Sequence, residues 1–121
     1  MKTITAYTEG TSTANPGPAS IQVRIMEGNK IRSEISESIG NATSSYAEYV
    51  AVLRALEVLT ETYGSRTTEM RFNISVKTES VKRQLSGELP VVEPGLVPHF
   101  MAIHNMRVAS FPFLNFSLTR G

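Results

Sequence analysis

Residues 43–56 read TSSYAEYVAVLRAL, from Thr43 to Leu56, and the parsing of the whole chain turns on them. Ahead of this stretch, Gly40-Asn41-Ala42-Thr43-Ser44-Ser45 offers turn and N-cap chemistry, because short hydroxyl side chains accept from the free N–H groups of a helix start. The residues that follow are rich in helix formers, so the spacing predicts a helix from about Ser45 to Tyr63. Its apolar stripe is expected at Ala47, Val50, Ala51, Arg54, Val58 and their neighbours, and Gly64 ends it in the C′ role. On this reading Glu48 lies in the first turn, where a carboxylate also suits the helix dipole.

Upstream, TITAYT (Thr3 to Thr8) is β-branched and aromatic and reads as a strand that stops at Glu9-Gly10. A small-residue loop, GTSTANPGPAS, follows with an Asn-Pro-Gly-Pro turn. A second strand is expected at about Ile21–Met26. The Glu27-Gly28-Asn29 turn joins it as a hairpin to a third at about Lys30–Ser38. Downstream, Met70, Phe72, Ile74 and Val76 alternate as a fourth strand. A short helix from about Glu79 to Ser86 takes Thr78 as its N-cap and ends at Gly87. Leu89–Pro98 reads as a proline-rich loop, Val97–Val108 as a third helix and Phe111–Leu118 as a last strand. The order β-β-β-α-β-α-α-β describes an α/β (α+β mixed-sheet) fold, a single domain over residues 1–121 with helices packed on the sheet.

Composition narrows the function classes. The chain has 121 residues, 40% of them hydrophobic and 19% charged, which suits a packed core. With no cysteine, thiolate metal sites and cysteine nucleophiles are excluded. No apolar run approaches the roughly 18 residues a spanning helix needs. The N-terminus also lacks a secretory h-region, so an intracellular, cytoplasmic location without membrane contact is expected. The formal charge of +1 demands no polyanionic partner. All eleven acidic residues are glutamates, and the shorter carboxylate that usually builds tight metal clusters is absent.

Four stretches together resemble the type 1 ribonuclease H family. Tyr7-Thr8-Glu9-Gly10 followed by Asn15-Pro16-Gly17-Pro18-Ala19 is similar to the family's first-strand TDG…GNPGPAG. TSSYAEYVAVLRAL is similar to TNNxAEYxALixAL, and FNISVKTESVKRQLSG (Phe72 to Gly87) to a strand–helix segment with a TDS triplet and a terminal QLSG. EPGLVPHF and FPFLNFSLTR resemble the later helix and fifth strand. The resemblance implies a ribonuclease H-like five-stranded mixed sheet. It also implies two-metal hydrolysis, with Mg²⁺ or Mn²⁺, of the RNA strand of an RNA/DNA hybrid. That chemistry needs about four converging carboxylates.

The carboxylate set departs from the family's pattern. Glu9 stands at the first ligand position in place of Asp, and its extra methylene displaces the carboxylate by more than catalytic geometry tolerates. Glu48 matches the second. At the third, two registers compete: Thr78-Glu79-Ser80 as the TDS triplet, which makes Glu79 the ligand, or an ungapped register that puts Lys77 at the Asp position. The ungapped register needs no deletion inside a helix, and its ammonium would repel Mg²⁺ and pair with Glu9 or Glu48. The fourth ligand belongs to a final helix, and the sequence stops at Thr119-Arg120-Gly121, where that motif would begin. Any metal site is therefore expected to rest on Glu9 and Glu48.

On the substrate side, the resemblance points to Asn15, Ser44 (where the family has Asn) and Gln84 as nucleic-acid contacts, with Lys77, Lys82 and Arg83 as a small basic group beside the cleft. A phosphate-binding role and a solvated helix face are equally compatible with those three charges. His99 and His104 are five apart and do not share a helix face as a metal pair would. Two functions remain open. One is a catalytically impaired domain that keeps hybrid binding or a structural, protein-interaction role. The other is an active metal-dependent endoribonuclease with a carboxylate supplied from outside the chain. Without a final helix the sheet is expected to bare apolar surface, to be covered by a protein partner or a second copy.

Overall fold

The computed structural model describes residues 2–119. Among them the strands form one five-stranded sheet, ordered β3-β2-β1-β4-β5. β1 (Thr3–Ser12), β2 (Gly17–Glu27) and β3 (Lys30–Ala42) make an antiparallel meander. β4 (Arg71–Val76) and β5 (Leu114–Leu118) then add in parallel on the other side of β1. Three helices join them: α1 (Ser44–Tyr63), α2 (Glu79–Leu85) and α3 (Val97–Ser110). The expected order of elements and the mixed sheet are both present.

Several boundaries differ from the sequence reading, each for a visible reason. β1 does not stop at Glu9-Gly10. Glu9 pairs with Gln22, Gly10 with Ile21, and the ladder runs on to Ser12 opposite Ala19, so the expected eleven-residue loop shrinks to residues 13–16. Its Asn15–Pro16 peptide is cis. β3 continues past Ser38 to Ala42 because its ladder with β2 absorbs two register shifts, at Ala19/Ser20 and Ile25/Met26. Those irregularities are what blur its apolar alternation. A 3-10 turn at Gly64–Glu69, unforeseen, leads from α1 into β4. α3 takes Pro98 into its first turn, where a missing N–H costs nothing. β5 begins only at Leu114.

The core lies between one sheet face and the helices. Ile4, Ala6, Val23, Ile25, Phe72 and Ile74 point from the sheet into α1, whose Val52, Ala55, Leu56 and Leu59 are fully or almost fully buried. The buried arc of α1 overlaps the expected stripe but is centred on Val52, Leu56 and Leu59. Ala47, Ala51 and Val58 are buried, but Val50 and Arg54 sit at its margin, and Arg54 pairs with Glu37 on β3 at 3.3 Å. Phe72 packs edge-on against both Tyr63 and Phe111, tying the end of α1 to the turn before β5.

The opposite sheet face is mostly polar, where an apolar surface was expected. One row across it reads Glu34–Arg24–Tyr7–Ser75–Ser117, and the next reads Ile31–Met26–Thr5–Asn73–Asn115, with Ile31 51% exposed. Asn115 donates to Asn73 at 3.1 Å and Arg24 lies 3.8 Å from Glu34. Tyr7, 44% exposed, is the large ring on this face. Alternating strands hide their apolar side against the helices and leave mostly polar groups outward, with Met26 and Ile31 at the β2–β3 edge as the apolar exception.

Candidate functional site

Gly10 is the residue that builds the site. A Cβ placed there would lie 2.2–2.5 Å from backbone atoms of Ala47 and Glu48. Only glycine lets β1 and α1 touch main chain to main chain at this point. The contact sets Glu48 beside Glu9, the residue that precedes Gly10. β4 lies parallel to β1 with Tyr7 opposite Ser75. Two residues further along, Lys77 follows the end of β4 next to Glu9. Three elements therefore converge, at the carboxyl end of a parallel strand, where open sheets commonly bind ligands.

Lys77 Nζ lies 3.8 Å from Glu9 Oε2, and both side chains are partly exposed. Glu48 is buried, 6% exposed; it is the fifth residue of α1 and so lies beyond the first turn, too deep for the dipole role. Its Oε2 accepts from Thr78 Oγ1 at 2.7 Å. Among the described residues nothing donates to its buried Oε1. Burial pushes the Glu48 carboxyl above its usual range; the Thr78 hydrogen bonds pull it back only in part, and the charge of Glu9 adds to the rise. Thr78 occupies the N-cap position of α2 but makes no side-chain capping bond there, because its hydroxyl is committed to Glu48.

The remaining candidates fall into two groups on either side. Asn15 Oδ1 accepts from the backbone N–H and the hydroxyl of Ser44, at 2.9 and 3.0 Å, which ties the Asn-Pro-Gly-Pro turn to the start of α1. Gln84 Oε1 accepts from the Tyr49 hydroxyl at 2.6 Å. Tyr49 follows Glu48 directly, and burial, with the charge of Glu93, raises its hydroxyl to about 12. Lys82 lies 3.3 Å from Glu88, while Arg83 is exposed. Glu79, the ligand of the alternative register, is exposed in the first turn of α2 and takes part in no ion pair among the described residues. Gly10, Tyr49 and Thr78 were not singled out as site residues from sequence. The Gly after the strand-end acid was the available signal, since a glycine inside a strand marks close backbone approach.

The fit of divalent metal to this arrangement is poor. Glu9 and Glu48 are the acids at hand, one lone pair of Glu48 is taken by Thr78, and an ammonium stands beside Glu9. Among the described residues no group of three or more His, Cys, Asp or Glu is placed to hold a metal ion. The pair of glutamates falls short of the oxygen ligands and compensating charge that two hard cations require.

The chain superposes on the crystal structure of LC11-RNase H1 in complex with an RNA/DNA hybrid with a TM-score of 0.90. The two are 35% identical, and the match covers 96% of this chain and 84% of that one. The chain belongs to the type 1 ribonuclease H family. Ribonuclease HI of Halobacterium salinarum is 35% identical over 92 residues, 75% of this chain and 44% of that protein. Ribonuclease H of Chlorobaculum parvum is 43% identical over 60 residues, 50% of this chain and 40% of that protein. The matches thus span less than half the length of these two curated relatives. No protein-family model matches the chain. In this ribonuclease H fold no described helix is long and apolar enough to cross a membrane.

Proposed function

We propose that this chain is a ribonuclease H-fold module, one domain over residues 1–121, that holds an RNA/DNA hybrid without cleaving it. The observation that carries the reading is the Lys77 ammonium set against Glu9 at 3.8 Å, at the point where the fold gathers Glu9 and Glu48. The ungapped register, with Lys77 at the position of a family Asp, is supported by Lys77 following β4 directly and by the exposure of Glu79. An ammonium there repels a divalent cation and neutralises one of the two acids that would bind it.

Binding is the part of the family's work that the remaining residues support. Asn15 and Ser44 present polar groups at the start of α1 (the side on which backbone N–H groups attract phosphate). Gln84 and Arg83 flank the other side on α2. The relative in the LC11 complex carries a hybrid on the same fold, and such a ligand is met inside cells, so an intracellular location goes with this reading. Mg²⁺ and Mn²⁺ are not required by it, and neither is a second copy of the chain.

The test is incubation of the purified chain with a labelled hybrid in millimolar Mg²⁺ or Mn²⁺, followed by a binding titration. Intact RNA with saturable binding is the expected result. Metal-dependent scission of the RNA strand overturns it in favour of an active endoribonuclease that uses Glu9, Glu48 and Glu79. Lys77→Asp is expected to create a Mn²⁺ response in NMR spectra at Glu9 and Glu48, whereas Glu79→Asp is not.

A further inference from the structure

We propose that Lys77 is itself a phosphate-binding group, taking one backbone phosphate of the hybrid where the glutamates cannot hold metal, and that Glu9 competes with that phosphate. The inference rests on the hybrid-binding reading above and adds the group that does the binding. Lys77 stands in the two-residue bend between β4 (which ends at Val76) and α2 (which begins at Glu79), two residues past the last β1–β4 pair at Tyr7 and Ser75, so its charge is presented from a short connection held at both ends.

The ammonium is under-committed. At 3.8 Å its contact with Glu9 is well beyond the roughly 2.7–2.9 Å of a charge-assisted hydrogen bond, so its three N–H donors stay available. Two of the three other lysines are held closer: Lys2 is 2.7 Å from Glu27 and Lys82 is 3.3 Å from Glu88. The Lys77 side chain is 48% exposed and opens onto a groove of the polar sheet face bordered by Tyr7, Gln22 and Arg24. A tethered monovalent cation needs no ligand cage, so it meets a phosphate without the acids a metal would demand. The acid beside it then acts against binding: Glu9 repels the incoming phosphate and holds the ammonium back. Glu9 thus has the opposite sign from a metal ligand, whose loss would weaken binding.

The experiment is fluorescence anisotropy with a labelled RNA/DNA hybrid, first in EDTA and then in Mg²⁺, on the full chain and on K77M, K77R and E9Q. Circular dichroism confirms that each exposed-site variant is folded. The expected results are equal wild-type affinity in EDTA and Mg²⁺, and a fivefold to tenfold loss in K77M, largely restored in K77R. K77M should also lower the salt slope by about one relative to the wild type, the signature of one lost phosphate contact. E9Q should bind several-fold more tightly. If the wild type binds but K77M matches it, or E9Q binds more weakly, or EDTA abolishes binding, the role of Lys77 is overturned while hybrid binding stands. If the wild type binds no hybrid under either condition, the proposed function falls, and this inference with it.

Discussion

A methyl group on Gly10 would lie 2.2–2.5 Å from the main chain of Ala47 and Glu48, and neither strand nor helix can give way without dragging its neighbours. Gly10→Ala is therefore expected to lower stability by about 3 kcal/mol or more, as read by urea denaturation, and to separate Glu9 from Glu48. At Glu48 the sign is the reverse. Burial raises its carboxyl, so the folded state holds the proton more firmly than the unfolded chain does. The resulting penalty is absent below the ordinary value of 4.5. It builds as the pH rises through the higher folded value, and is complete above it. Glu48→Gln is expected to stabilise the protein at neutral pH, with the advantage vanishing as the pH falls below about that ordinary value; thermal melts across pH 3–8 check it. Identity at this scale was legible, because Glu9, Glu48 and Lys77 each sit in a recognisable motif. Contact was not: nothing in the one-dimensional string says that Thr78 turns its hydroxyl to a carboxylate thirty positions away.

Two threonines precede helices and do different things. Thr43 Oγ1 accepts from the Tyr46 N–H at 3.1 Å, an ordinary N-cap, and Thr43→Ala is expected to cost about 1 kcal/mol in chemical denaturation. Thr78 looks the same in sequence yet caps nothing with its side chain, so local propensity alone misassigns it. The elements themselves were readable wherever periodicity was regular, as in α1 and β4. They blurred where pairing overrides pattern. The register shifts that let β3 follow β2 break its alternation, and β1 runs through a glycine because the partner strand continues beside it. α3 shows the reverse limit: Ile103 is its buried residue, and Met101, apolar yet off that face, stands 45% exposed.

For the molecule as a whole, the polar outer sheet face bears on how the chain meets others. A face built from Arg24, Tyr7, Asn73 and Asn115 is already at home in water, and its one large ring is half exposed. Tyr7→Ser is expected to change stability by no more than about 0.5 kcal/mol and to leave the sedimentation coefficient unchanged. A fall of several kcal/mol would instead mean that the ring is covered in solution. The outer face is more polar than expected because the positions of β1 and β2 that alternate with the buried ones, Thr5, Tyr7 and Glu9 on β1 and Gln22 and Arg24 on β2, are mostly polar.

The parallel seam between β1 and β4 has a consequence for the order of assembly. The β1–β2–β3 meander closes through short turns, whereas Thr8 and Ser75 on the seam stand 67 positions apart. Joining them fixes a long stretch of chain before any contact rewards it, so such pairing is intrinsically slow. Glu9 belongs to one side of the seam and Lys77 to the other. The charged locus therefore comes into being only when the sheet closes at its centre, and any opening there dissolves it while the meander persists.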